Sequence, residues 1–449
     1  MDFNSVILAR GLTELTLAFH IIFATIGVGI PIMISFAEWY GIKRNDPHYI
    51  LLARRWTRGF TITVAVGVVT GTCIGLQLSL LWPNFMRLAG QAIGLPLFME
   101  TFAFFFEAIF LGMYLYTWDR FKNPLYHWLL SIPVIFGSTL SAFFITIVNA
   151  FMNTPQGFKL VDGRIVDLQP LLAMFNPATP TKTLHVIITA YLTSALVLAA
   201  ITAFMMLKGK RSEYYQKALK LTMIAALVFS IGAAIAGDLS AKFLAKYQPE
   251  KLAAAEWHFE TEAGADLILF GVLDQKTEKI KYEIRIPKAL SFLSFSDVHA
   301  EVQGLNETPK ELQPPLYIHY LFDLKIIFAM YMVLLSIVYI FILKFKRKWA
   351  LNRQLLRAIV ISGPLAVITI EIGWIFAEVG RQPWILRGYM KVGEAATTAP
   401  PQHVGWMFLL FIILYIVLAF SSTKVLIKMF KSNPAELELE KHLDTKINK

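Results

Sequence analysis

The run Gly373-Trp374-Ile375-Phe376-Ala377-Glu378-Val379-Gly380-Arg381-Gln382-Pro383-Trp384 sets a carboxylate and a guanidinium three residues apart where an apolar stretch ends. That spacing is close to one helical turn, so Glu378 and Arg381 share a face before Pro383 stops the helix. Ionisable groups in a membrane helix are costly unless they meet a partner, a cofactor or water, so the pair reads as a functional site. Glu100 and Glu107 lie two turns apart in a phenylalanine-rich run and share a face, an acid ladder suited to carrying protons. Glu371 stands in the same relation to Glu378. Salt bridging is the structural alternative for these acids, but Lys325 is the exception among few basic residues at that depth. Of nine histidines, His20 and His185 lie clearly within apolar runs. A lone membrane histidine more often bonds a neighbouring helix than a metal. Two at matching depth, with carboxylates on the same leaflet and an aromatic wall, suit porphyrin iron: axial ligands, a dry pocket, and Arg381 for the propionates. A proton-coupled transporter would use the same acids and histidines, but there is no convincing internal repeat of the kind many carriers show.

These side chains need helices to carry them. With 449 residues, 56% of them hydrophobic and 16% charged, the chain is a polytopic membrane protein and not a soluble domain. Apolar runs long enough to cross a bilayer fall at about 14–41, 57–83, 95–118, 125–152, 183–207, 218–240, 318–345, 355–378 and 404–430. The expected fold class is all-α, with nine transmembrane helices. The first run follows Arg10 without a small-residue cleavage site, which marks a retained span. The net charge of +11 does not point to nucleic acid, because lysine and arginine collect on alternate loops. Lys43, Arg44, Arg54 and Arg55 follow the first run, Lys208, Lys210 and Arg211 the fifth, Lys344, Lys346 and Lys348 the seventh, and Lys424, Lys428 and Lys431 close the ninth. The positive-inside rule then puts the N-terminus outside and the C-terminus in the cytoplasm.

Residues 241–316 form one long outer loop between a 1–240 unit carrying the first six helices and a 317–449 unit carrying the last three and a cytoplasmic tail. Its Lys251-Leu252-Ala253-Ala254-Ala255-Glu256 stretch favours a helix. Leu267 to Leu273 and Ile280 to Ile286 alternate around a polar turn, as in a small hairpin. Cys73, the single cysteine, excludes an intrachain disulfide, a thiolate-bound zinc and an iron–sulfur cluster.

With these segments in order, the chain resembles subunit I of the cytochrome bd quinol oxidase family along nearly its whole length, closest to members with a short quinol-binding loop. The matching residues are Gly373-Trp374 through Trp384, Glu100 to Glu107 with Ala108-Ile109-Phe110, Trp118-Asp119-Arg120, the Asn149 to Gly157 run, and Lys251 to Glu256. The resemblance implies a quinol oxidised at the outer face, electrons passing through a low-spin haem b to two high-spin haems, and oxygen reduced to water with cytoplasmic protons. The third haem is of type d or b. His20 then resembles a high-spin haem ligand, and Glu100 and Glu378 the acids of the high-spin pair, with either one bonding iron directly. His185 matches a low-spin haem ligand. Lys251 and Glu256 match quinol-loop residues, and Glu107, Ser138 and Asn149 match proton-path residues; Trp374 and Arg381 belong to the haem motif. The implied partners are a second membrane subunit, with a small single-span subunit as an optional third.

One position departs from the family. Its low-spin haem takes a methionine as second axial ligand, and here Lys325 stands in that place. Three outcomes are open: the Lys325 amine ligates iron, the helix shifts so that Met330 or Met332 serves, or the haem is five-coordinate or missing. Buried lysine loses its proton readily, which favours amine ligation. Asp323, two residues earlier, would oppose it if the two side chains met. A haem or quinone sensor on the same scaffold is the other reading that these residues allow.

Overall fold

The computed structural model describes residues 4–440. In chain order the helices are α1 (Ser5–Arg44), α2 (Pro47–Leu81), α3 (Pro83–Tyr116), a short α4 (Pro124–Leu129) leading into α5 (Ser131–Asn153), a short α6 (Pro170–Met174), α7 (Thr179–Leu207), α8 (Glu213–Tyr247), α9 (Pro249–Glu256), α10 (Ala289–Phe295), α11 (Ile318–Phe345), α12 (Arg353–Val379), the one-turn α13 (Val392–Ala395) and α14 (Pro401–Ser432). Among the described residues nine helical spans, with α4 and α5 forming one of them, are long and apolar enough to cross a membrane. The all-α expectation holds; strand pairing is confined to short two-stranded ladders in the connections.

Hydrocarbon offers no partner for a backbone N–H or C=O, so each apolar run must close its hydrogen bonds within itself as a helix. The helices overrun the apolar runs. α1 starts at Ser5 and α8 continues to Tyr247, because a helix need not stop where the hydrocarbon does. Polar caps decide the ends instead: the Asn4 side chain accepts from Ile7 N, and Asp46 accepts from His48 N in front of Pro47. Asn45, at φ 48°, takes the left-handed turn between α1 and α2.

α7 lies at the centre, packed against α1, α5, α8 and α12, while α3 pairs with α5 and α11 with α12. Large side chains such as Phe98, Phe102 and Ile109 on α3 and Leu410, Ile416 and Phe420 on α14 are exposed. Such a surface is normal against lipid or another apolar helix. α3 and α5 approach closely at Gly137, where an added Cβ would sit 2.7 Å from Glu107 Cβ.

The long connection is folded. α9 ends at Trp257, and Leu267–Leu269 pairs with Ile284–Ile286 while Val272–Asp274 pairs with Lys279–Lys281, forming the hairpin expected around the polar turn. The first turns of α11 clamp it. The buried His319 ring reaches two loop carbonyls at once, with Nδ1 2.7 Å from Ala255 O and Nε2 3.1 Å from Phe270 O. Phe270 N donates to Asp323 Oδ2 at 2.6 Å, and Trp257 stacks on the His319 ring at 3.9 Å. The C-terminal segment is tied down through Arg55, which donates to Asn433 O and Glu438; residues 441–449 of the expected tail lie outside the described residues.

Candidate functional site

Two groups of polar side chains flank the end of α12 nearest the long connection. The first is built around Glu378. Arg381 Nη2 lies 2.5 Å from Glu378 Oε2, and Asn149 Nδ2 of α5 donates to Glu378 Oε1 at 2.5 Å. Lys182 of α7 donates to Asn149 Oδ1. Basic residues are therefore not confined to Lys325 at this depth: Arg381 is an ion-pair partner of Glu378, and Lys182 joins the same network. Sequence reading passed over Lys182, although its place one turn before His185 on α7 was a usable signal. The Glu378 side chain keeps 30% of its surface open, so its partners do not enclose it. Trp374 lies one turn earlier on α12 and is half-buried.

On α3, Glu100 Oε1 accepts from Ser141 Oγ of α5 at 2.9 Å, and Glu107 is buried against Gly137. Ser138 is buried beside Gly137 and donates to Ile135 O at 3.1 Å. α3 and α5 thus bring Glu100 and Glu107 to one seam with Ser141 and Gly137, with Ser138 next in α5, whereas Asn149 turns to Glu378 and Lys182. Glu371 Oε1 is buried without a hydrogen-bond partner.

His20 of α1 faces α2, its Nδ1 2.8 Å from Thr70 Oγ1. The Thr70 hydroxyl donates its one hydrogen to the carbonyl of Val66, 2.9 Å away. It then accepts from His20 Nδ1, which leaves the lone pair on Nε2, the arrangement of a metal-binding imidazole oriented by a second residue.

The second group lies around Lys325. Its Nζ sits 4.1 Å from the Phe376 ring centroid and 4.4 Å from that of Phe322. It is close enough to act electrostatically on His185 of α7 and on Glu256 of α9. Asp323 is instead engaged by Phe270 N and lies 3.4 Å from His319 Nε2. Met330 is 58% exposed on α11, and Met332 is packed in the core. His185 Nδ1 and Glu256 Oε2 are buried with no hydrogen-bond partner. Burial, and then the nearby Asp323, raise the Glu256 carboxyl well above the usual carboxylate range, against a smaller lowering by Lys325.

Lys251 and Glu256 share α9 but point into different groups. Lys251 Nζ donates to Ala377 O at 3.0 Å and lies 5.0 Å from the Phe376 ring, on the Glu378 side. Burial, then Lys182 and Arg381, lower its amine well below the usual lysine range.

The donor chemistry fits haem: a histidine with an oriented free lone pair, a second with a buried unpartnered nitrogen, and carboxylates and an arginine between apolar helices. The family description "Cytochrome bd terminal oxidase subunit I" matches residues 8–434. A putative cytochrome bd menaquinol oxidase subunit I of Bacillus subtilis is 40% identical over 440 residues, covering 97% of this chain and 99% of that protein. A cytochrome bd ubiquinol oxidase subunit 1 of the same organism is 30% identical over 408 residues, covering 88% of this chain and 86% of that protein. The solved structure of the bd oxidase from Geobacillus thermodenitrificans is 61% identical, with a TM-score of 0.92 over 96% of this chain and 99% of that one. Fold and relatives agree over nearly the full length: the chain belongs to the cytochrome bd terminal oxidase subunit I family, a catalytic subunit of a terminal oxidase that spans the bacterial plasma membrane many times.

Proposed function

We propose that the chain, paired with a second membrane subunit, oxidises a quinol at the face carrying residues 241–316 and reduces oxygen to water with protons from the opposite face. The loop face is the outer one and the C-terminus is cytoplasmic, as the alternation of basic loops supports. The observation that carries this reading is the buried, unpartnered Glu256 carboxylate oxygen in the loop helix, next to Lys325 and through it His185. A base at that place takes the proton that a quinol hydroxyl must lose as its electrons leave. The menaquinol and ubiquinol oxidase names of the relatives support the substrate class.

His185 and Lys325 would hold a low-spin haem b, and His20, Glu100 and Glu378 a high-spin pair whose second member is of type d or b. When bound, haem supplies one-electron transfer and the iron that meets oxygen. The protein's part is to hold and to move protons. Glu107, Ser138 and Glu100 along α3 and α5, with Asn149 on the Glu378 side of α5, would carry protons from the cytoplasmic face toward the haems, and Arg381 and Trp374 would flank the high-spin haem. Lys251 joins the quinol loop to α12 through Ala377 O. Two quinols supply the electrons for one oxygen, and their protons leave at the outer face while water takes its protons from the cytoplasm. The exposed apolar faces of α3 and α14 are available to the second subunit, to a small single-span subunit or to lipid.

The test is quinol-driven oxygen uptake by the purified two-subunit complex, with Glu256→Gln as the variant. The expected result is uptake in the parent and a loss of at least about tenfold in the variant with its haem spectrum intact. Full activity in the variant would overturn the role of Glu256, and a parent that binds haem but consumes no oxygen would favour a sensor.

A further inference from the structure

Lys182, Lys251 and Arg381 come from α7, α9 and the end of α12, three elements distant in sequence. Lys251 and Arg381 are 4% and 5% exposed. The fit around Lys251 is close: a Cβ added at Gly380 would lie 2.5 Å from Lys251 Cε. Lys251 meets Lys182, Arg381 and Lys325 as like charges and Glu378 as an opposite charge. Lys182 likewise interacts with Glu378 and Arg381. Glu14 is near enough to Glu378 to act on it, but has Arg10 as its own counter-charge, 4.0 Å away. Three basic groups therefore share the Glu378 carboxylate.

The hydrogen bonding is equally one-sided. A lysine amine carries three donors as an ammonium and two when neutral. Lys182 donates to Asn149 Oδ1 and Lys251 to Ala377 O, while Arg381 spends its guanidinium on Glu378 and Trp384 O. Both amines keep donors to spare in a region with little else to accept them. Acceptor-rich anions complete such a set, and carboxylates do so with short charge-assisted bonds.

We propose that Lys182 and Lys251, with Arg381, form a carboxylate-binding site that holds the propionates of the haem next to Glu378. This rests on the haem reading above and deepens it, giving Lys182 a role and turning the Lys251 amine from the quinol toward the haem. The site places positive charge at the haem edge, which favours the ferrous state.

The test uses the haem-loaded two-subunit complex with Lys182→Met and Lys182→Arg. High-spin haem midpoints are measured by optical redox titration, and carboxylate bands by infrared difference spectroscopy with haem labelled in its propionates. Lys182→Met is expected to shift a high-spin midpoint to lower potential and to move the propionate bands, and Lys182→Arg to restore both. Unchanged midpoint and bands in Lys182→Met, with the parent's haem complement present, would overturn this assignment alone. A parent without haem would overturn the underlying reading. Should Lys182→Met fail to assemble, Lys251→Met read in the same way carries the test.

Discussion

The two polar groups at the end of α12 are built differently. Around Glu378 the protein supplies its own partners: Arg381 and Asn149 hold the carboxylate, Thr70 orients His20, and Ser141 holds Glu100. Around Lys325 it leaves polar atoms unmatched: His185 Nδ1 and Glu256 Oε2 are buried without partners, and the Lys325 amine rests over two aromatic rings. A buried polar atom without a partner costs about 1–3 kcal/mol, so the unmatched atoms of the second group depend on what it binds. The fold thus wires the Glu378 carboxylate itself, while the Lys182 and Lys251 amines beside it and the Lys325 group are left for ligands to complete.

The largest effect is expected on the wired side. His20→Ala should lose a high-spin haem signal and abolish oxygen reduction while the protein still inserts, because one imidazole adds little to nine packed spans. Retention of every haem signal would remove His20 from the site. Glu107→Gln keeps the shape of the α3–α5 seam but carries no proton, so oxygen turnover should fall by about 10²-fold with haem content unchanged. Unaltered turnover would return Glu107 to a packing role. Gly137→Ala tests the same seam sterically, since its Cβ would press on Glu107 at 2.7 Å. A loss of about 1–3 kcal/mol in stability and a smaller fall in turnover than in Glu107→Gln are expected, read by thermal unfolding and oxygen uptake.

On the other side the effects of the Glu256 and Lys325 variants are graded and depend on conditions. The Glu256 carboxyl is raised by burial, so its proton-accepting form grows as pH rises through that raised value. Quinol oxidation should therefore increase with pH, and Glu256→Gln should flatten the profile; a parent profile that falls with pH over the same interval would count against Glu256 as the base. Lys325→Met should move the low-spin haem to higher potential, because a thioether favours ferrous iron more than an amine does. If Lys325→Ala leaves the low-spin spectrum untouched, the lysine is a bystander.

The helices were legible in the sequence because apolar length alone demands them, and the hairpin in the long connection because its strands alternate around a polar turn. One-turn spacing put Glu378 and Arg381 on one face, but their ion pair was passed over because Arg381 was assigned to the propionates. Lys182 could be noticed one turn before His185, but its partners were not legible, since they come from α5 and α12 and only packing brings them to α7. The division between Lys251 and Glu256 was hidden for a related reason. Close together in a short helix, they point to opposite groups, which depends on how α9 is set against α11 and α12. Asp323 looked like a partner for Lys325 by proximity in sequence, but the hairpin's Phe270 N and His319 engage it.

The most direct measurement is a reduced-minus-oxidised absorption spectrum of the purified complex, parent against His185→Ala, with quinol as the reductant. The expected result is a low-spin haem band in the parent that disappears in the variant, high-spin bands that remain, and quinol that no longer reduces them. A parent without a low-spin band, or a variant whose low-spin band is unchanged, would contradict the assignment of His185 and with it the route from quinol to oxygen.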